Sequence, residues 1–542
     1  LISPDFYRPT HVLHMILPMP KHSKSGGRRR VAAIVCLVSL ALGVGCSDST
    51  PRATSQLQTD PQSDVTIEVA VPAGMGFSDS WQLVLDEWSA QTGTKVKLRE
   101  YDAGAYESPL IELLADNETR KRLPTMFVIP MSRAAELAAV GAVAVIPHEQ
   151  QGAERLNWTD VFQGLRGSAT YVGRSDFFVP VSSPVLVCYY RRDLLERAGL
   201  NPPSTWDDYQ TLLETLGRWA PGLTAVEPWS EEYRATLFLA RAAAFAKHPA
   251  NISFCFDIKN GEPLIENPGF VRALESSRAA FSKMPAAVAH YQPADCRRDL
   301  LAGKAAIGIA LETGPGNPPL PFGTEKRRSS STTGEQSADA ARNQNERDPV
   351  DLACVRLPGS KQVFNTSLNE WESPRSGVNF SSLNGFAGLV IGVSTRGTRP
   401  EKLAAWNLLG TVTLGNLEAA FPGPTKSVCR ESQVPDGPRW LGDELGPDTA
   451  QSYINAVEKT LQDAGLTAEL PVIGRWDFRN ALTDELGAFL ASGSTATPQG
   501  VLAKVAQRWR DILKELGPAN VHNSYLRGLG FPGPMTEESD EG

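Results

Sequence analysis

From Val65 onward, short apolar strands alternate with amphipathic helices, and that order restricts the fold more than any other feature of the chain. "VTIEVAV" (Val65–Val71) alternates as a strand does. In "SDSWQLVLDEWSAQTG", Ser78 is a candidate N-cap, Trp81, Leu85 and Trp88 share one helical face, and Gly93 stops the helix. "KVKLREY" reads as the next strand and "LPTMFVIP" (Leu123–Pro130) as a short apolar one. "SRAAELAAVGAVAVIP" adds a helix, a stop at Gly141 and a return. This β-α-β-α order predicts an α/β fold with a mostly parallel sheet and helices on both faces.

The segment "FFVPVSSPVLVCYYRRDLLERAGLNPPSTWDDYQTLLETL" points to a second lobe. Pro180 and Pro184 interrupt a strand, as where a chain crosses between lobes. Val185–Tyr190 then reads as a buried strand, and Arg191–Ala198 as a helix stopped by Gly199. Thr205 can cap the following helix, with Asp207 and Asp208 in the first turn, where the helix dipole favours them. "LLAGKAAIGIAL" (Leu300–Leu311) supplies a helix end and a small-residue strand. Residues 313–349 are Gly/Pro-rich, then charged and Ser-rich, and read as a disordered surface insertion before the strand "DLACVRLPG". "GFAGLVIGV" is another strand, residues 449–516 read as mostly helical, and the tail after Pro518 has no evident core period.

The N-terminal region has the shape of a bacterial lipoprotein signal. A basic run, Lys21–Arg30, precedes the apolar Val31–Leu42, too short to cross a bilayer of about 30 Å as a helix. Gly43 and Gly45 lead to Cys46, with Leu42 four residues before the cysteine rather than the usual three. The expectation is a leader over 1–45, lipid on Cys46, a Ser/Thr/Pro/Gln-rich tether over 46–64, and residence in the cell envelope on the periplasmic side. The alternative is an uncleaved anchor or an ordinary signal in which Cys46 is incidental.

Composition excludes several classes. A chain of 542 residues with formal charge −8 and no basic patch is poorly suited to nucleic acid. Beyond the leader and Cys46 remain Cys188, Cys255, Cys296, Cys354 and Cys429, which leave one disulfide open and offer no CxxC spacing for zinc. HExxH, GxxxxGK[ST] and GxSxG are absent and the histidines are isolated, so neither an enzyme nor a cofactor or metal is expected.

Together, "TGTKVKL", "LPTMFVIP…LAAVGAVAVIP", "VPVSSPVLVCYYRRDLLERAGLNPPSTWDDY", "LLAGKAAIGIAL" and "GFAGLVIGVSTRGTRPEKLAAWNLL" resemble, in order and spacing, the family 1 extracellular solute-binding proteins of ABC importers, whose best-known members bind maltose. The resemblance covers residues 65–516. It implies a periplasmic-binding-protein-like fold, two α/β lobes joined by hinge strands around a ligand cleft. One lobe would hold 65–180 with 386–428, the other 185–385 with 429–516, and 517–542 would form a tail. Crossings would fall near Pro180–Pro184, Asn384–Gly388 and Ser427–Ser432. The implied partners are a small solute, most readily a sugar, and the membrane subunits of an ABC permease, with the protein a monomer held to the membrane by its lipid. A lipid-anchored sensor or scaffold that kept the fold without transport is the alternative.

Sugars present flat CH faces and a rim of hydroxyls, so their sites pair aromatic platforms with polar side chains. "AVEPWSEEY" carries Glu227-Pro228-Trp229, similar to the acid-Pro-aromatic triplet of maltose-binding relatives. Trp229 would stack on a ring and Glu227 accept from hydroxyls, or Trp229 would pack its own loop. In "GRWDFRNAL", Arg475 and Trp476 lie where relatives place a ring-stacking aromatic, the other reading again being core. Gly74 and Met75, in the loop "PAGMGF" after the first strand, and Ser132 and Arg133, after a later one, are candidates at the sheet's carboxyl edge. Glu312 stands where relatives often carry an aromatic, and Trp371 in "NEWESPRS" lines the cleft or caps a loop. Trp81, Trp88 and Trp206 are read as core.

Overall fold

In β1 (Thr66–Pro72) Ile67, Val69, Ala70 and Val71 are all buried, as in a strand covered on both faces. The computed structural model describes residues 65–101, 123–154, 156–168, 171–312, 350–413, 427–463, 465–491 and 493–531. Cys46, its leader and tether, and the insertion 313–349 lie outside them.

Beside β1 run β2 (Lys95–Tyr101) and β3 (Met126–Pro130), both parallel to it. After the hairpin β4 (Tyr171–Val172) and β5 (Ser175–Asp176), β6 (Phe178–Ser182) ends the first-lobe run. The second lobe follows with β7 (Val187–Arg191), β8 (Thr224–Val226), β9 (Ala305–Ala310) and β10 (Leu352–Arg356). A hairpin of β11 (Val363–Asn365) and β12 (Glu370–Glu372) leads to β13 (Leu383–Asn384), then β14 (Leu389–Val393) returns to the first sheet, and β15 (Thr467–Ala468) pairs with β13. The two main sheets have the orders β2-β1-β3-β14-β6 and β10-β7-β9-β8.

Each main sheet contains one strand opposed to the rest: β14 in the first and β7 in the second. Both follow a crossing between lobes. Such a strand starts at the edge facing the crossing, where its neighbours end, and so has to run the other way. The parallel arrangement expected from the alternating pattern therefore holds within the two main sheets for every strand except these two.

The helices that matter below are α1 (Phe77–Thr92), α2 (Ala134–Ala139), α3 (Gln163–Ser168), α4 (Trp206–Glu214), α5 (Arg234–Ala246), α6 (Pro268–Phe281), α7 (Pro293–Leu301), α8 (Arg399–Val412), α9 (Pro447–Leu461), α10 (Arg475–Leu490), α11 (Pro498–Leu516) and α12 (Pro518–Gly528). Thr205 caps α4 as expected: its Oγ1 accepts from the Asp208 N–H at 3.1 Å, and the Asp208 carboxylate accepts from the Thr205 N–H at 2.9 Å. Ser78 does not cap α1. Gly76, in the left-handed region at φ 70°, stands before the first turn, and the Ser78 hydroxyl donates to Glu100 at 2.6 Å. Trp81, Trp88 and Trp206 are buried. Cys188, Cys255, Cys296, Cys354 and Cys429 are buried free thiols.

The tail departs furthest from expectation. Residues 518–528 form α12, which buries Val521 and Tyr525. Tyr525 completes an aromatic cluster with Phe256, Phe478 and Trp509, whose ring centroids lie 5.1–5.6 Å apart. Among the described residues no helix is long and apolar enough to cross a membrane.

Candidate functional site

Because β6 ends at the crossing that β7 leaves, both sheets turn the carboxyl ends of their parallel strands toward the linking segments. The links pack closely. Gly388 has φ 101°, and a Cβ added there would lie 2.4 Å from the Ser182 carbonyl oxygen. The Ser183 N–H donates to Ser427 Oγ at 2.8 Å, and the Glu469 N–H donates to the Asn384 carbonyl at 2.8 Å. Arg430 is buried and donates to the carbonyls of Leu156 and Asn157 at 3.0 and 3.1 Å, while the Ser432 hydroxyl donates to Asp160 at 2.6 Å. The segment Ser427–Ser432 is therefore held by first-lobe residues.

On the second lobe, β8 and β9 are parallel neighbours, so Glu227 and Glu312, just beyond their ends, share one edge. Both carboxylates are wholly buried and already engaged. Glu227 accepts from Arg241 at 2.6 Å and from Trp229 Nε1 at 3.0 Å. Trp229 is 1% exposed and meets the Phe281 ring of α6 edge-on at 5.9 Å. Glu312 accepts from the Tyr189 hydroxyl at 2.5 Å and from Arg297 of α7 at 2.7 Å. Burial and the neighbouring Glu312 charge hold the Tyr189 hydroxyl well above its usual pKa.

Arg475 and Trp476 open α10 after Gly474, whose φ of 69° sets the turn. Arg475 bonds the buried Glu469, which also accepts from the Thr236 hydroxyl of α5 at 2.5 Å. The guanidinium groups of Arg475 and Arg479 stand 5.0 and 5.4 Å from the Trp476 ring, which is 8% exposed. Burial lowers the Arg479 pKa to about 10. Arg479 also bonds the Glu232 carbonyl, so the turn carrying Glu227 and Trp229 and the start of α10 meet at the head of α5.

On the first lobe, Gly74 (φ 72°) is exposed in the loop beyond β1, with Met75 buried beside it. Ser132 and Arg133 lie in a short 3₁₀ turn directly after β3, and Arg133 pairs with Glu136 at 3.0 Å. The Ser132 hydroxyl is buried without a hydrogen-bond partner among the described residues. Trp371 is placed elsewhere: it lies on β12, 38% exposed, with its ring edge-on to Phe364 at 5.6 Å. A crevice of about 480 Å³ between α3 and Leu466 holds none of these candidates.

Sequence reasoning did not single out Glu469, Arg479, Arg241 or Arg297, the charged groups of the edge; it placed Ser183, Asn384 and Ser427 within the expected crossings without foreseeing the bonds they make. "PVSSP" and "SLNGFAG" do carry a signal for the links, small polar residues bounded by Pro or Gly. No group of three or more His, Cys, Asp or Glu side chains among the described residues is arranged to hold a metal.

Residues 76–321 match the sequence model of the bacterial extracellular solute-binding protein family. No curated protein matches the chain. Among solved structures, maltose-bound MalE3 of T. maritima is 16% identical, with a TM-score of 0.54 over 83% of this chain and 100% of that one. A solute-binding protein of Agrobacterium radiobacter K84, in complex with ribitol, is also 16% identical, with a TM-score of 0.55 over 83% and 100%. The sugar-binding MalE of Xanthomonas citri is 14% identical, with a TM-score of 0.58 over 83% and 98%. At these identities the likeness establishes the fold: two α/β lobes of the periplasmic-binding-protein type.

Proposed function

We propose, for a chain that belongs to the bacterial extracellular solute-binding proteins, that its solute is a neutral carbohydrate or polyol taken up between the lobes. It is a binding protein of the ABC-transporter type and not an enzyme. The observation that carries the choice of solute is charge compensation. Glu227 pairs with Arg241, Glu312 with Arg297 and Glu136 with Arg133, and Glu469 faces both Arg475 and, at 3.9 Å, Arg479, which also bonds the Glu232 carbonyl, so none of these carboxylates lacks a cation. A cationic solute needs an uncompensated carboxylate to offset its desolvation, whereas a sugar needs hydroxyl partners and an apolar face. Ser132, Trp476 and the backbone of the Gly74 loop offer partners of that kind. Relatives in complex with maltose and ribitol support the same class.

The solute then favours whichever lobe arrangement binds it better, and its hold on both lobes shifts the hinge toward closure. Delivery to membrane permease subunits, and a lipid on Cys46 that keeps the protein beside them, complete the reading. Calorimetric titration of the purified protein with maltose, ribitol and glucuronate tests the solute class. Heat of binding from a neutral compound supports it, and saturable binding of glucuronate alone overturns it. Labelling of growing cells with radioactive palmitate, wild type against Cys46→Ser, tests the anchor: label retained in the variant would refute it.

A further inference from the structure

The helix α12 touches both lobes at a place away from the three links. Its hold on the second lobe is extensive. Tyr525 sits in the Phe256 cluster, with its hydroxyl accepting from the Phe254 N–H at 3.2 Å. His522 Nε2 lies 2.9 Å from the Ile258 carbonyl, and Ser524 Oγ accepts from the Ile473 N–H at 3.1 Å. Gly528 is pressed so near Pro471 that an added Cβ would stand 2.3 Å from the Pro471 carbonyl oxygen. Its hold on the first lobe is a packed face with a single backbone hydrogen bond among the described residues. The Gly173 N–H, in the turn between β4 and β5, donates to the Arg527 carbonyl at 2.8 Å, and α12 packs against β4 and α2.

The segments it touches are those that carry the candidate site. α2 follows directly on Ser132 and Arg133, and Pro471–Ile473 leads into Gly474, Arg475 and Trp476. We infer that α12 is an intramolecular latch, anchored on the second lobe and releasable from the first, that restrains opening of the hinge. Any motion separating α2 from Pro471 has to break the Gly173–Arg527 bond and uncover the face that α12 presents to α2 and β4. The latch raises the fraction of ligand-free protein already in the arrangement seen here. A solute that binds this arrangement gains affinity by that fraction. The effect on affinity rests on the proposed solute-binding role; the effect on the hinge does not.

The test measures an interlobe distance without ligand, so it stands even if the solute class is wrong. Spin labels at Leu83→Cys on the first lobe and Leu368→Cys on the second, both exposed in the native fold, report the distance by double electron–electron resonance. Cys36 and Cys46 are changed to serine, and the remaining cysteines are buried. Two unlatched forms are compared with the full chain. Gly528→Val lifts the last turn off Pro471, and a chain ended after Tyr525 keeps Val521 and Tyr525 but lacks Arg527. A narrow distribution in the full chain that lengthens and broadens in both forms is the expected result. If Gly528→Val fails to fold, the chain ended after Tyr525 decides. A distribution unchanged in a folded unlatched form overturns the latch.

Discussion

The Ser183 backbone N–H donates to Ser427 Oγ at 2.8 Å, so the first crossing is bonded directly to the start of the third. Both residues are buried. Ser427→Ala leaves the Ser183 N–H without its acceptor and is expected to cost about 1–3 kcal/mol. Urea unfolding of wild type and variant measures it, and equal midpoints would show that the bond contributes nothing.

Gly388 permits the close approach of the second link to the first. A Cβ there meets the Ser182 carbonyl oxygen at 2.4 Å, and φ 101° is itself unfavourable for an L side chain. Gly388→Ala is expected to destabilise by about 1–3 kcal/mol or more, again read by urea unfolding.

Trp229 and Trp476 should behave differently. Trp229 is enclosed, bonded to Glu227 and packed on Phe281, so Trp229→Ala acts first on stability, by about 3–5 kcal/mol. Trp476 lies at the head of α10 between two guanidinium groups and keeps some exposure. Trp476→Ala is expected to weaken solute binding by about tenfold or more, with a smaller loss of stability. Melting curves and titrations of the two variants separate the outcomes. The reverse ranking would move the site to the Glu227 turn.

Lys247 gives the fold a pH signature. Burial lowers its pKa from 10.5 to about 8, and its ammonium bonds the Asn251 carbonyl. Between pH 8 and 10.5 the unfolded chain therefore binds a proton that the folded chain does not, and the contribution of this group makes stability rise with pH across that window. Lys247→Met should flatten that part of the curve, as measured by denaturant unfolding at several pH values. A slope identical in wild type and variant would contradict the assignment.

Local signals in the sequence are legible where the structure that answers them is local. The Thr205 cap needs only Asp208, three residues on, and the Trp81–Leu85–Trp88 face needs only its own helix. Of the hinge prolines, Pro184 stands beyond the strand in the crossing, but Pro180 does not interrupt its strand as expected: it lies within β6, an edge strand, where a missing N–H is tolerated. Other features depend on distant partners. Glu227 and Trp229 sit in a recognisable motif, yet their engagement follows from Arg241, fourteen residues away, and from Phe281 on another helix. α12 buries Val521, Tyr525 and Gly528 at helical spacing, but only two of the three carry an apolar side chain, too few for a hydrophobic period. Its partner Phe254 lies 271 residues upstream, so nothing near it in the chain reveals the contact.

The central claim is that this protein binds a neutral hydroxylated solute between its lobes. Thermal melting of the purified protein against sugars, polyols, amino acids and sugar acids tests it most directly. A compound that binds only the folded state stabilises it by about 2.7 kcal/mol when present at one hundred times its dissociation constant. The account predicts a rise in melting temperature with at least one sugar or polyol and none with ionised compounds. Stabilisation by an amino acid or sugar acid alone, or by no member of any class, would contradict it.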